Sequence, residues 1–445
     1  MMRLHKLSRA VRNGTWPSFS VLKPSPPPSP EAVAPQLIRH FSVSSDAFTP
    51  NPVALEMINY ATSLARNQKT EESYARGLLI LEQCEAIQHD VNSKGLVELA
   101  RSTLLFERCQ LILSLHCFMG QNLYKTHHID LLLYDGGSHE AAIERLEKLQ
   151  DLSLCSISIK VVASEALVGI YLEHYQEDVA SAVADLALRV LGSIKQEIGD
   201  GGGFPVLEAR IKVLKGLIEL IGGNVDSAQS MFEGAQGDGF FIGKDFLDEF
   251  STAKEMYRKV VRAMSFCDPN YLGACNMTSE EVAIAAACAL GQLEAHMGNF
   301  SDAENALTEA LKKTEEHFGP NHPKLGVILT CIALMYQQKA ISEHSSSLLI
   351  QEGLFRTALG LLKAPSLDVD GSSQNVHRKD IVALARGGYA ETLGVQKSRK
   401  AEAERLKKWA EGVWGNRWMS LGEALELSKT CPTVPVIDTR ICRVI

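Results

Sequence analysis

The stretch Leu290 to Pro323, LGQLEAHMGNFSDAENALTEALKKTEEHFGPNHP, sets Gly291, Gly298, Ala303 and Ala310 at fixed offsets among larger apolar residues. Apolar side chains at three- and four-residue spacing on both sides of the Gly298-Asn299 break define two amphipathic helices joined by a short turn. Antiparallel helices approach to roughly 8–10 Å only where small residues face each other at the crossing. Gly291 and Ala303 therefore mark one crossing, and Ala310 marks the contact with the following hairpin. Gly298 reverses the chain in a left-handed conformation at little steric cost. The small residues signal contact, and a hairpin of this kind requires neighbours to cover its remaining apolar face.

The same offsets recur. GLIELIGGNVDSAQSMFEGAQ carries Gly216, Gly223, Ala228, Phe232 and Ala235, and ALVGIYLEHYQEDVASAVADLALRVL carries Leu167, Tyr171, Ala180, Ala184 and Ala187. With Leu290 and Leu307 added, the pattern of large, small, turn glycine, alanine, large and alanine resembles the tetratricopeptide repeat. The step from Gly291 to Ala333 is 42 residues, longer than the usual repeat of about 34. This spacing, with Gly319, His322 and Pro323 in the linker, resembles the repeat type of kinesin light chains. Gly319 ends one helix, and Pro323 opens the next where no amide donor is required. A further hairpin follows, with Ala333 in its first helix and Ala358 in its second. The resemblance is to the repeat type only, because the chain lacks the long heptad segment by which that family joins its motor. It implies an all-α fold, a right-handed superhelical solenoid of antiparallel helix hairpins.

The chain divides on this reading into a presequence at 1–41, divergent helical hairpins at 42–158, and the repeat array at 159–363. An inserted helix lies near 244–264 within the array. A C-terminal hairpin and cap at 364–430 and a tail at 431–445 complete the chain. Trp409, Trp414 and Trp418 crowd into the cap, where an end helix must seal an apolar face. No stretch reaches the roughly 18 uninterrupted apolar residues of a membrane span.

Charge is distributed unevenly. The chain has 45 Lys and Arg against 53 Asp and Glu, and six of the basic residues but only Glu31 of the acidic ones fall in 1–41. The remaining 39 basic and 52 acidic residues leave a net charge of −13. That is a poor footprint for a general nucleic-acid binder. The first thirty residues contain no acid, and Leu4, Leu7 and Val11 share one face of a basic helix before a proline-rich tract. This composition is that of a mitochondrial transit peptide. Arg39, Phe41 and Ser42 resemble a matrix-protease site that leaves Ser42 first, and a chloroplast address is the alternative.

No catalytic constellation is visible, so a non-enzymatic protein is expected, with no cofactor and no metal site. The ten cysteines include no C-x-x-C, and the glycine-rich GDGGG (Gly199 to Gly203) and GDGFFIG lack a P-loop Lys-Ser/Thr. The ending CRVI fits a prenylation pattern only formally, since Arg443 is not aliphatic, and Cys442 is read as a plain cysteine. His317 and His322 with Glu316, like the pair His127 and His128, are assigned to exposed connections between helices.

The resemblance further implies that the first helix of each hairpin lines a concave wall. The positions so carried over are Glu165 and Leu172; Val213, Leu217 and Leu220; Cys288, Gln292, Ala295 and His296; and Thr330, Leu334 and Gln337. They form an apolar and neutral-polar wall, without the Lys, Arg and Asn of a carboxylate clamp. Such a wall suits an amphipathic helix or a hydrophobic segment of a protein partner. For Val213, Leu217 and Leu220, ordinary packing within the hairpin is an equal alternative. The expected function is a protein-binding scaffold of mitochondria, an assembly factor or a subunit of a larger complex. An RNA- or ribosome-associated organellar repeat protein is the alternative, disfavoured by charge and by the lack of recurring base-reading pairs.

Overall fold

Local sequence signals set the helix boundaries. Thr278 accepts a hydrogen bond from the Glu281 amide, and Glu280 and Glu281 place negative charge at the positive end of the helix Ser279–His296. Gly298, at φ 82°, makes the turn into Phe300–Phe318, which Gly319 ends at φ 90°. His322 caps the next helix through its side chain, with Pro323 in the first turn. In the computed structural model the described residues are 51–68, 70–88, 92–105, 139–151, 157–198, 204–235, 249–264, 278–367, 376, 378–416, 419–426 and 435–445. The presequence with Arg39, Phe41 and Ser42, the pair His127 and His128, both glycine-rich stretches and Trp418 lie outside them.

Sixteen helices are present among the described residues: α1 Pro52–Gln68, α2 Glu71–Ile87, α3 92–105, α4 His139–Asp151, α5 Ile157–Glu173, α6 Glu177–Ile198, α7 Phe204–Ile221 and α8 Val225–Ala235. They continue as α9 Glu249–Met264, α10 Ser279–His296, α11 Phe300–Phe318, α12 Pro323–Ser342, α13 Leu348–Leu361, α14 Lys379–Gly394, α15 Lys400–Val413 and α16 Leu421–Leu425. Helices pack as antiparallel hairpins α1/α2, α5/α6, α7/α8, α10/α11, α12/α13 and α14/α15. Within the runs α5 to α8 and α10 to α15, first helices touch the next first helix (α5 to α7, α10 to α12, α12 to α14) and second helices touch the following first one (α6 to α7, α11 to α12, α13 to α14). The architecture is an all-α helical-repeat solenoid.

The crossings are as tight as glycine permits. A Cβ on Gly291 would lie 2.5 Å from Leu307 Cγ and 3.3 Å from the Ala303 carbonyl oxygen, and one on Gly216 would lie 2.6 Å from the Phe232 ring. Ala228, Ala303, Ala310, Ala333 and Ala358 are buried. Ala235, in the last turn of α8, is only half-buried.

Burial is organised in two cores. One gathers the apolar faces of α1 to α7, and the other those of α10 to α16. The inserted helix α9 packs along α10. Helix α12 is long and apolar enough by composition to cross a membrane, but it is enclosed by α10, α11, α13 and α14 in the second core.

The C-terminal segment is more than a tail. Ile437–Asp438 (β1) and Arg443–Val444 (β2) pair antiparallel, with Ile437 opposite Val444 and Asp438 opposite Arg443. Asp438 fastens the turn by accepting from the Arg440 amide at 2.8 Å and from its guanidinium at 2.6 Å. Cys442 takes a positive φ of 52° there and is buried. Ile441 enters the first core, whereas Ile437, Cys442 and Val444 enter the second, so this hairpin touches both.

His322 also departs from expectation. It is buried, its Nδ1 accepts from the Lys324 amide at 3.2 Å, and its ring stacks on Phe318 at 4.5 Å. Burial holds its pKa well below the ordinary histidine value, and the charges of Lys324 and Arg378 push it the same way. The folded protein thus keeps His322 neutral while the unfolded chain takes up a proton below about pH 6.5. The stability this group contributes is present above that pH and is lost as pH falls, by up to about 1.4 kcal/mol per unit. Urea midpoints between pH 7.5 and 5.5 should fall less steeply in His322→Asn, which keeps a capping acceptor and removes the titration.

Candidate functional site

The expected concave wall begins on α5, where Glu165 is buried against Arg210 of α7, whose Nε donates to its carboxylate at 2.6 Å. Burial raises the Glu165 pKa and Arg210 opposes it. This is a structural ion pair that joins α5 to α7, with its carboxylate already engaged. Leu172 is fully buried, and its carbonyl accepts from Arg443 at 3.2 Å. On α7, Leu217 is buried in the core and Leu220 is half-buried, whereas Val213 is 43% exposed. Val206, one heptad earlier, is 61% exposed. Val206, Val213 and Leu220 thus form a stripe at seven-residue spacing along one helix face.

The α10 portion of the wall is covered by the chain itself. Cys288, Ala295 and His296 are buried and Gln292 is half-buried. The Gln292 carboxamide makes two hydrogen bonds to the main chain of Ile437: its Nε2 donates to the carbonyl at 3.1 Å, and its Oε1 accepts from the amide at 2.8 Å. The same Nε2 reaches Cys288 Sγ at 3.5 Å, and Cys288 lies 3.7 Å from Cys331 of α12. His296 meets Phe250 of α9 edge to face at 5.3 Å. Lys254 and Arg258 of α9 converge on the buried Glu294, at 2.8 Å and 3.4 Å. On α12, Thr330 is fully buried with its hydroxyl on the Gly326 carbonyl, Leu334 is half-buried, and Gln337 donates to Glu391 of α14 at 2.5 Å. Of the twelve residues assigned to an open wall, Val213 alone is exposed. The reason is that β1 and α9 lie on α10, while α12 is held between its neighbours.

The hairpin is anchored by charge at its other strand. Arg443, 4% exposed at its side chain, gives Nε to Asp380 at 2.9 Å and Nη1 to Glu177 at 2.9 Å. Its guanidinium carbon sits 3.9 Å from the centre of the Tyr175 ring. Tyr175 follows α5, and its hydroxyl oxygen accepts from the Asp380 amide at 3.0 Å. Burial holds the tyrosine pKa well above its ordinary value, with Asp380 acting in the same direction. Nearby, Arg378 pairs with Glu173 at 2.8 Å, and Lys379 lies 4.2 Å from the Tyr175 ring centre. Burial also pushes the Cys442 thiol up to about 11, so it is a protonated core residue at neutral pH. Sequence reasoning missed Glu173, Glu177, Tyr175, Asp380 and Arg443. None occupies a signature position of the repeat, and the contacts that define them span more than two hundred residues of chain.

No group of three or more His, Cys, Asp or Glu side chains among the described residues is arranged to hold a metal. His317 is half-buried beside Phe318. Trp409 is buried under the Arg386 guanidinium at 3.7 Å, and the Trp414 indole donates to the Met419 carbonyl at 2.8 Å, so both serve the end of the array.

Set beside known proteins, residues 284–324 match the family model described as tetratricopeptide repeat. The match covers α10 from Ile284 onward, its turn, α11, the linker and the first two residues of α12. No curated protein and no solved structure matches the chain.

Proposed function

We propose that this chain, with its tetratricopeptide-repeat match at residues 284–324, is a mitochondrial, non-enzymatic scaffold, an assembly factor or a subunit of a larger complex. It holds a segment of a partner protein on the faces of its first helices. One observation carries this reading: Gln292 grips the main chain of an extended peptide segment on α10. A side-chain amide that pairs with a backbone amide and carbonyl recognises extended polypeptide whatever its sequence. A presequence without acid in its first thirty residues and the site at Arg39, Phe41 and Ser42 support the matrix as its compartment. The acidic balance of the remainder supports a protein partner over RNA.

The stripe on α7, with Val206 and Val213 exposed beside half-buried Leu220, gives the test. Surface changes away from buried contacts alter stability by only about 0.5 kcal/mol. The double substitution Val206→Glu and Val213→Glu should therefore leave the thermal transition in place. Affinity capture from isolated mitochondria, with a tag placed after Ser42 in the precursor, should recover a discrete protein set. That set should resist ribonuclease and be depleted by the double substitution. Recovery that depends on RNA, or that is indifferent to both substitutions, would count against this reading.

A further inference from the structure

Resting on the scaffold reading above, we propose that residues 435–445 occupy in cis the seat of the partner. The partner's recognised segment is then an extended strand with an arginine flanked by aliphatic residues, and it competes with the chain's own C terminus for this seat. The seat offers three kinds of recognition. Gln292 takes the main chain through two hydrogen bonds. Asp380, Glu177, the Leu172 carbonyl and the Tyr175 ring enclose one guanidinium. Its nitrogens diverge to separate acceptors while its plane lies on an aromatic face, a geometry that lysine cannot reproduce. Aliphatic sockets then receive Ile441 on one side and Ile437 and Val444 on the other.

The occupant is poorly able to hold its own shape. Its strands have two residues each, and an isolated two-stranded hairpin is marginal in water. Its form comes from the wall, whereas the helices of the wall have their own cores on either side. A segment bound through its main chain, one cation and a few aliphatic side chains can be exchanged for another with the same features. An array that is filled until a better-matched strand arrives also keeps its apolar sockets from water between partners.

The probe is a labelled synthetic peptide with the sequence of residues 435–445, PVIDTRICRVI, kept reduced and added to the full chain and to its Arg443→Ala variant. Truncating one member of a buried charge pair loosens the internal hairpin enough that the variant should bind the peptide at least about tenfold more tightly than the unaltered chain does. A peptide carrying Arg443→Ala should not bind. Equal binding by both chains, or binding of the altered peptide, would overturn the proposal. Hydrogen exchange on the unaltered chain decides the matter if the variant does not fold. The Ile437 and Ile445 amides, bonded to Gln292 and Val436, should exchange through an opening that leaves α12 protected. Loss of their protection only together with that of α12 would overturn the proposal equally. Mitochondrial capture that responds to the α7 substitutions while both of these tests fail leaves the scaffold standing without this seat. Peptide binding with unresponsive capture has the reverse meaning.

Discussion

Ala303→Arg is expected to abolish the cooperative unfolding transition of the second core. Ala303 is fully buried, and its carbonyl lies beneath the position that a Cβ on Gly291 would take. A long side chain there must part α10 from α11, at a cost of about 1–3 kcal/mol for overpacking, and must also bury a guanidinium without a partner, worth about 3–5 kcal/mol more. The sum approaches the whole stability of an ordinary domain, about 5–15 kcal/mol. Circular dichroism on heating should show the loss, and limited proteolysis should cut within α10 to α13. Gly192→Ala supplies the contrast, because Gly192 is exposed on α6 and an added Cβ meets nothing within 4 Å. That variant should gain about 0.5–1 kcal/mol, the ordinary advantage of alanine over glycine within a helix. Similar losses in both would mean that the small residues do not mark crossings.

The contrast between those two positions explains how far the sequence could be read. Gly291, Ala303 and Leu307 meet within one hairpin, so their spacing along the chain is fixed by helix geometry and can be recognised in any repeat that shares it. Gly298 and Pro323 are legible for the same reason, since turn and cap chemistry act within a few residues. What covers the wall is a different kind of information. Gln292 and Ile437 are 145 residues apart, and Arg443 meets Glu177 across 266. No period or local propensity connects such positions. Val436, Ile437, Val444 and Ile445 do form two β-branched pairs around the connection Asp438 to Arg443, a faint hairpin signal, but one too short to indicate a destination. His322 misled in a different way. A histidine in a Gly-Pro-Asn-His-Pro linker reads as exposed, yet the residue before a helix-opening proline is its N-cap, and here the cap lies against Phe318.

Asp380→Ala is the second change expected to have a large effect. Asp380 is fully buried in the first turn of α14, and its carboxylate receives the Arg443 Nε–H. Removing the carboxylate leaves a guanidinium in a site too dry to solvate it, with Glu177 its remaining acidic partner in the cage, and the expected loss is about 3–5 kcal/mol. The pair itself does not contribute that much. Burial raises the Asp380 pKa in spite of the arginine beside it, so in the folded protein desolvation outweighs the attraction that Arg443 supplies. Replacing both residues by apolar ones, Asp380→Ala with Arg443→Met, should therefore recover most of the stability, and a double-mutant cycle should return a coupling of the same order as the single loss. An ion pair that is close to neutral overall, yet costly to break from one side, fixes where the hairpin sits while adding little to how tightly it is held. A competing strand that brings its own arginine leaves no charge unpaired in the cage. The same cycle read by hydrogen exchange should accordingly show Asp380→Ala releasing the Ile437 and Ile445 amides while α12 stays protected, and the double variant protecting them again.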